Sequence, residues 1–108
     1  MSLPIVITNA TLTAYCLLSS STNKCADNKH YPTPNHTIAI GDRSLSLGSK
    51  VMVNGILYFG QDRMNKRFSG THRFDIFMSS LKEAKQFGIK KNQTVTIYEQ
   101  QLQNTTKR

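Results

Sequence analysis

Asn54-Gly55 lies between two apolar runs, Lys50-Val51-Met52-Val53 and Ile56-Leu57-Tyr58-Phe59, and it leaves the chain little choice there. Both central residues of a two-residue hairpin loop need positive φ, which Asn tolerates and Gly favours, so this stretch predicts a type I′ β-hairpin. Other segments share the extended pattern. Pro4-Ile5-Val6-Ile7 is β-branched, and Leu12, Ala14 and Cys16 alternate with Thr11, Thr13 and Tyr15, so residues 4–16 read as strand. Thr37-Ile38-Ala39-Ile40 is a short strand closed by Gly41-Asp42. Residues 73–78 place Phe74 and Ile76 on one face and Arg73, Asp75 and Phe77 on the other. Thr94–Tyr98 directs Val95 and Ile97 inward. One helix is expected: Ser80-Leu81-Lys82-Glu83 has the form of a capping box, Leu81, Ala84 and Phe87 share a face, and Gly88 supplies the stop. Six or so short strands with one short helix predict an all-β fold, a small closed barrel rather than a sandwich.

Two polar stretches, residues 17–36 and 61–71, read as long loops, and loops of that length in a small domain are often functional. The chain of 108 residues suits one domain with one modest core, about residues 4–98, followed by a polar tail at 99–108. Its formal net charge of +8 favours an anionic partner: nucleic acid, an acidic membrane surface or an acidic wall polymer. The basic residues are spread out, with Lys66-Arg67, Lys90-Lys91 and Lys107-Arg108 the only adjacent pairs, so nucleic acid is the weakest fit. No run is long and apolar enough to span a bilayer, and no targeting segment is visible. Cys16 and Cys25 enclose a polar loop; in an exported protein they close a short disulfide, and in a cytosolic one they stay reduced. With these two Cys and only His30, His36 and His72, no ligand spacing resembles a zinc site, and no metal or cofactor is expected.

Carboxylates are scarce. Asp27, Asp42, Asp62, Asp75, Glu83 and Glu99 are the whole supply. Asp75 interrupts an aromatic, apolar strand, where an unpaired charge is costly to desolvate. Such carboxylates have shifted pKa values and concentrate at functional sites. The plainer reading is a wet-face aspartate tied to Arg73 or to a backbone amide.

Taken in order, six pieces of the chain resemble the 3D (three-aspartate) domain family. They are Thr13-Ala14-Tyr15-Cys16, Thr37-Ile38-Ala39-Ile40-Gly41-Asp42, Leu45-Ser46-Leu47-Gly48-Ser49-Lys50-Val51, Asp62, Gly70 with Arg73-Phe74-Asp75-Ile76-Phe77, and the Glu83-Ala84…Phe87-Gly88 helix end with Val95-Thr96-Ile97-Tyr98. The resemblance covers roughly residues 11–98. It implies a six-stranded double-psi β-barrel, related to the catalytic part of membrane-bound lytic transglycosylase A and similar to barwin and expansin domains. The chain departs from the pattern at three points. The first aspartate falls on Gly41, leaving Asp42 one place late; Arg63-Met64 replaces the Gly-Gly after Asp62; and the Asp62–Asp75 segment is about two residues longer.

The resemblance also implies chemistry: a lytic transglycosylase that cuts the β-1,4 bond between N-acetylmuramic acid and N-acetylglucosamine in peptidoglycan and leaves a 1,6-anhydro ring. One carboxyl group suffices, because the attacking C6 hydroxyl is already tethered to the sugar. By position Asp75 is the acid/base residue. Asp62 supports it by orienting it, by keeping it protonated through like-charge repulsion, or by stabilising positive charge. Asp42, Tyr15, Arg73 and Lys66 are the candidate substrate contacts; Arg63 and Arg67 also border the site, and Tyr31 and Tyr58 are further candidates for stacking on sugars. The expected setting is the cell envelope, periplasm or exterior, in a bacterial or phage protein, with peptidoglycan or a related anionic wall glycan as partner. Two other readings stand beside it: a non-catalytic glycan-binding barrel of the expansin kind, and a basic nucleic-acid-binding barrel.

Overall fold

The computed structural model describes residues 3–17 and 24–99. Residues 18–23 of the first polar stretch and nearly all of the expected tail lie outside the described residues. Six strands form a closed barrel: β1 (Ile5–Tyr15), β2 (Thr37–Ile40), β3 (Lys50–Val53), β4 (Ile56–Arg63), β5 (Arg73–Phe77) and β6 (Lys90–Tyr98). Around the barrel the order is β1-β5-β2-β4-β3-β6, with β1/β5 and β2/β4 parallel and the other neighbours antiparallel. The six-stranded barrel expected from the sequence is the one found. Closure removes every open sheet edge, which is how a chain with this many short strands avoids edge-to-edge pairing.

Strand alternation fills the interior. Ile7, Leu12, Ile38, Ile40, Val51, Val53, Tyr58, Phe74, Ile76, Val95 and Ile97 form one buried cluster with Ala10 and Leu45. The β3–β4 hairpin turns at Asn54 (φ 49°) and Gly55 (φ 80°), as positive φ at both positions demands. The helix, α1 (Leu81–Phe87), begins at Ser80, whose side chain accepts from the Glu83 amide at 3.1 Å, and ends at Gly88. Its apolar face differs from expectation. Ala84 is buried and Phe87 packs on the core, but Leu81 is 56% exposed.

The second predicted loop is shorter than its polar composition suggests. β4 continues through Gln61, Asp62 and Arg63, and only Met64 to His72, with a 3-10 turn at Lys66–Phe68, is non-strand. The register explains why this polar stretch remains in the sheet. Ile38 of β2 pairs with Gly60, but the next residue, Ala39, pairs with Asp62, so Gln61 is an extra residue on β4, a β-bulge. Gln61 is satisfied within the fold: its Oε1 accepts from Thr37 Oγ1 at 2.8 Å and its carbonyl accepts from the Asp27 amide at 3.0 Å. The bulge reverses the alternation of β4, which turns Asp62 away from the core and onto the outer face of the sheet.

Candidate functional site

The bulge assembles a row across four neighbouring strands. Thr13 of β1 pairs with Asp75 of β5, Asp75 pairs with Ala39 of β2, and Ala39 pairs with Asp62 of β4. Paired residues point to the same side of a sheet, so Asp62 and Asp75 flank the small Ala39 side chain, their Cα atoms two strand spacings, roughly 10 Å, apart. A larger residue at position 39 would fill the space between the carboxyl groups.

Asp75 is half-buried. Its Oδ1 accepts a 2.8 Å hydrogen bond from Thr13 Oγ1, while Oδ2 has no partner among the described residues. Burial raises its pKa above the usual carboxylate value, and the Asp62 charge adds to the rise; the Thr13 bond and the Arg73 charge oppose it. The folded state therefore holds this proton to higher pH than the unfolded chain does. Stability from Asp75 is fully present below the ordinary carboxylate pKa of about 3.9 and is lost as pH rises through the folded value. Melting curves of wild type and Asp75→Asn across acidic to neutral pH should show wild type losing stability relative to the variant as pH rises. A gap independent of pH would mean that Asp75 titrates normally.

Asp62 is held differently. Its Oδ1 accepts from the amides of Ala26 and Arg63, both at 2.9 Å, and its Oδ2 accepts from the Tyr15 hydroxyl at 3.0 Å. Three donors from three segments fix the carboxylate and pin the Lys24–His30 loop to β4. Burial, the hydrogen bond to Asp62 and the fields of Asp62 and Asp75 push the Tyr15 hydroxyl pKa far up, so it remains a donor. The Tyr15 ring packs edge-on against Phe77, with centroids 5.3 Å apart. Tyr15 thus serves as a brace for Asp62. Of the other candidate sugar platforms, Tyr58 is buried in the core and Tyr31 is exposed, with Lys24 Nζ 5.9 Å from its ring centroid.

Asp42 is not part of the row. Its Oδ1 accepts from both the amide and the hydroxyl of Ser44, at 2.9 and 2.7 Å, a turn-capping role. The position before it could not hold a carboxylate either. A Cβ on Gly41 would lie 2.9 Å from the Arg73 carbonyl and 3.3 Å from that of Phe68. Gly41→Ala should cost about 1–3 kcal/mol through this backbone clash, read as a lower urea midpoint; an unchanged midpoint would show that the strand end yields freely.

Cys16 and Cys25 are both free thiols, so the bridge that export would allow is not formed in this structure. Burial, together with the charges of Asp62 and Asp27, pushes the Cys25 thiol up to about 11, which keeps it protonated and unsuited to nucleophilic work. Beside the Asp62 anchor, Ala26, Asp27, Lys29, His30, Leu47 and Gly48 line a cleft of about 340 Å³, in which Asp27 pairs with His30 Nδ1 at 2.5 Å. A larger shallow hollow of about 480 Å³ lies on α1, lined by Leu81, Lys82, Lys85 and Gln86, and its lining carries no carboxylate, thiol or hydroxyl. Among the described residues no group of three or more His, Cys, Asp or Glu could hold a metal ion, and no helix is long and apolar enough to cross a membrane.

Several of these roles were not evident from residue identity. Thr13 and Gln61 act through cross-strand contacts, and Ala26 contributes only a backbone amide. Thr13 lies in the Thr-Ala-Tyr-Cys piece, which was the one available signal. No family model matches the chain, and no characterised protein sequence matches it.

Proposed function

We propose that this domain cleaves peptidoglycan by the lytic transglycosylase route, with Asp75 as its single acid/base residue. The observation that carries the reading is the Thr13–Asp75–Ala39–Asp62 row, which sets one half-buried carboxyl group with a raised pKa opposite a second carboxylate that is already fully engaged. Protonated Asp75 gives its proton to the glycosidic oxygen as the bond to C1 of the muramic acid breaks. The resulting carboxylate then takes the proton of the C6 hydroxyl as that oxygen closes on C1. Asp75 ends protonated, as it began, and no water is consumed. The Thr13 hydroxyl fixes Oδ1, which leaves Oδ2 to face the substrate. Asp62 does not touch Asp75 through a hydrogen bond; its field favours the protonated form, the second of the three roles considered for it.

Digestion of purified peptidoglycan, with products read by mass spectrometry, tests this. Anhydromuropeptides are the expected products. Sedimentation of the protein with the wall without any product would replace the reading by the glycan-binding one. That alternative draws on the engagement of Asp62 as a loop anchor, a role a binding module would need equally. Hydrolytic, reducing-end products would overturn the single-carboxyl route.

A further inference from the structure

A second cluster lies at one end of the barrel. β2 and β4 run parallel and β5 runs against them, so the residues that follow β2, end β4 and begin β5 meet there. These include Arg43, Arg63 and Arg73, and the 3-10 turn adds Lys66 and Arg67. The ends are knitted together: the Gly41 amide donates to the Arg73 carbonyl at 2.9 Å, Arg43 Nη2 to the Met64 carbonyl at 3.2 Å, and Arg63 Nη1 to the Asp42 carbonyl at 3.1 Å. The guanidinium groups of Arg67 and Arg73 each lie over the Phe68 ring, 4.7 Å from its centroid.

Five cations share this ledge, and none is ion-paired with a carboxylate among the described residues. The one ion pair among the described residues is Asp27–His30, elsewhere on the surface. Asp42, adjacent in sequence, gives its carboxylate to Ser44 and only its backbone carbonyl to Arg63. The crowding has a cost: burial and then the charge of Arg43 lower the pKa of Arg63, and the nearby Asp42 charge only partly offsets them. Arg73 Nε is a buried donor without a partner among the described residues. Arg63 directly follows Asp62, and Arg73 lies two residues before Asp75, so the ledge adjoins the aspartate row.

We infer that this ledge binds carboxylates carried by the wall glycan, guiding a peptide-substituted chain past Asp75. The inference rests on the glycan reading above. Guanidinium groups suit it because their planar forks pair with oxyanions in two-point fashion, and each arginine here keeps donors beyond those already used. Nucleic acid fits less well. Single-strand binding relies on aromatic rings open to bases, and the ring at this ledge, Phe68, is engaged by two guanidinium groups.

The test compares binding to sacculi free of phosphate polymers with binding to the same sacculi after their carboxylates are converted to neutral methylamides. Wild type should prefer the untreated wall by about tenfold at low salt and lose that preference near 0.5 M salt, where the screening length falls to about 4 Å. Lys66 and Arg67 are exposed, so Lys66→Gln/Arg67→Gln should melt like wild type yet bind untreated sacculi about five- to tenfold more weakly, with amidated sacculi unaffected. Arg67→Lys, which keeps the charge, should retain most of the preference. Equal binding of both walls by wild type, with the double variant unchanged, would overturn the ledge assignment and leave the glycan reading intact. Binding of neither wall would overturn both, and tight retention of a single-stranded oligonucleotide in that case would assign the ledge to nucleic acid.

Discussion

Asp75→Asn leaves the barrel folded and stops the production of anhydromuropeptides. The two halves of that expectation have separate causes. Asn matches Asp in volume, and its carbonyl oxygen can still accept the 2.8 Å bond from Thr13, so the β1–β5 pairing is undisturbed. It also removes a half-buried group whose charge is penalised by burial, so at neutral pH the variant should melt at or above the wild-type temperature. Chemistry is lost because an amide can neither protonate the glycosidic oxygen nor receive the C6 proton. Positioned acid–base groups contribute about 10²–10⁴ in rate, and here one group performs both transfers, so the loss should reach or exceed the top of that range. Turnover within tenfold of wild type would move the acid elsewhere. A collapsed melting curve would instead assign Asp75 a structural role.

Asp62→Ala should behave in the opposite way, with stability lost first. Truncation strips three donors, the amides of Ala26 and Arg63 and the hydroxyl of Tyr15, of one common acceptor. Bonds to a charged group are worth about 1.5–3 kcal/mol each, and partial access to water reduces that, so a total near 3 kcal/mol is expected. In a domain of this size that corresponds to a melting temperature lower by very roughly 15 °C. The Lys24–His30 loop should lose its hold on β4, visible as faster hydrogen exchange at the Ala26 amide. Asp62→Asn keeps an acceptor oxygen for the two amides and should melt near wild type, while slowing turnover more than it weakens wall binding. If Asp62→Ala melted like wild type, the carboxylate would not be the anchor its geometry describes.

Much of the barrel was legible from short-range chemistry. The hairpin followed from the positive φ that Asn54 and Gly55 must adopt, and the helix from Ser80, Glu83 and Gly88. Phe74 and Ile76 announced which face of β5 is buried, and so exposed Asp75 as an anomaly. Asp62 was legible as a candidate but not as a strand residue. Gly60-Gln61-Asp62-Arg63 lacks strand alternation because a bulge interrupts it, and the bulge is stabilised by Thr37 and the Asp27 amide, both distant in sequence. The intramolecular roles of Asp42 and Tyr15 were hidden for a similar reason. Residue type suggested contact with substrate, whereas the partners that occupy them, Ser44 and Asp62, are set by turn geometry and strand order.

The order of strands around the barrel has a consequence for how the protein is made. Ile5 pairs with Ile97 and Thr11 with Arg73, so the first strand must wait for the last ones before it has any neighbours. No contiguous half of the barrel can close by itself, and among the described residues the β3–β4 hairpin is the only pair of consecutive strands available as a local start. Topologies of this high contact order fold in about milliseconds to seconds. On the ribosome, the nascent chain would therefore present unpaired strands until β6 clears the exit tunnel, and its dependence on chaperones should be greatest in that interval.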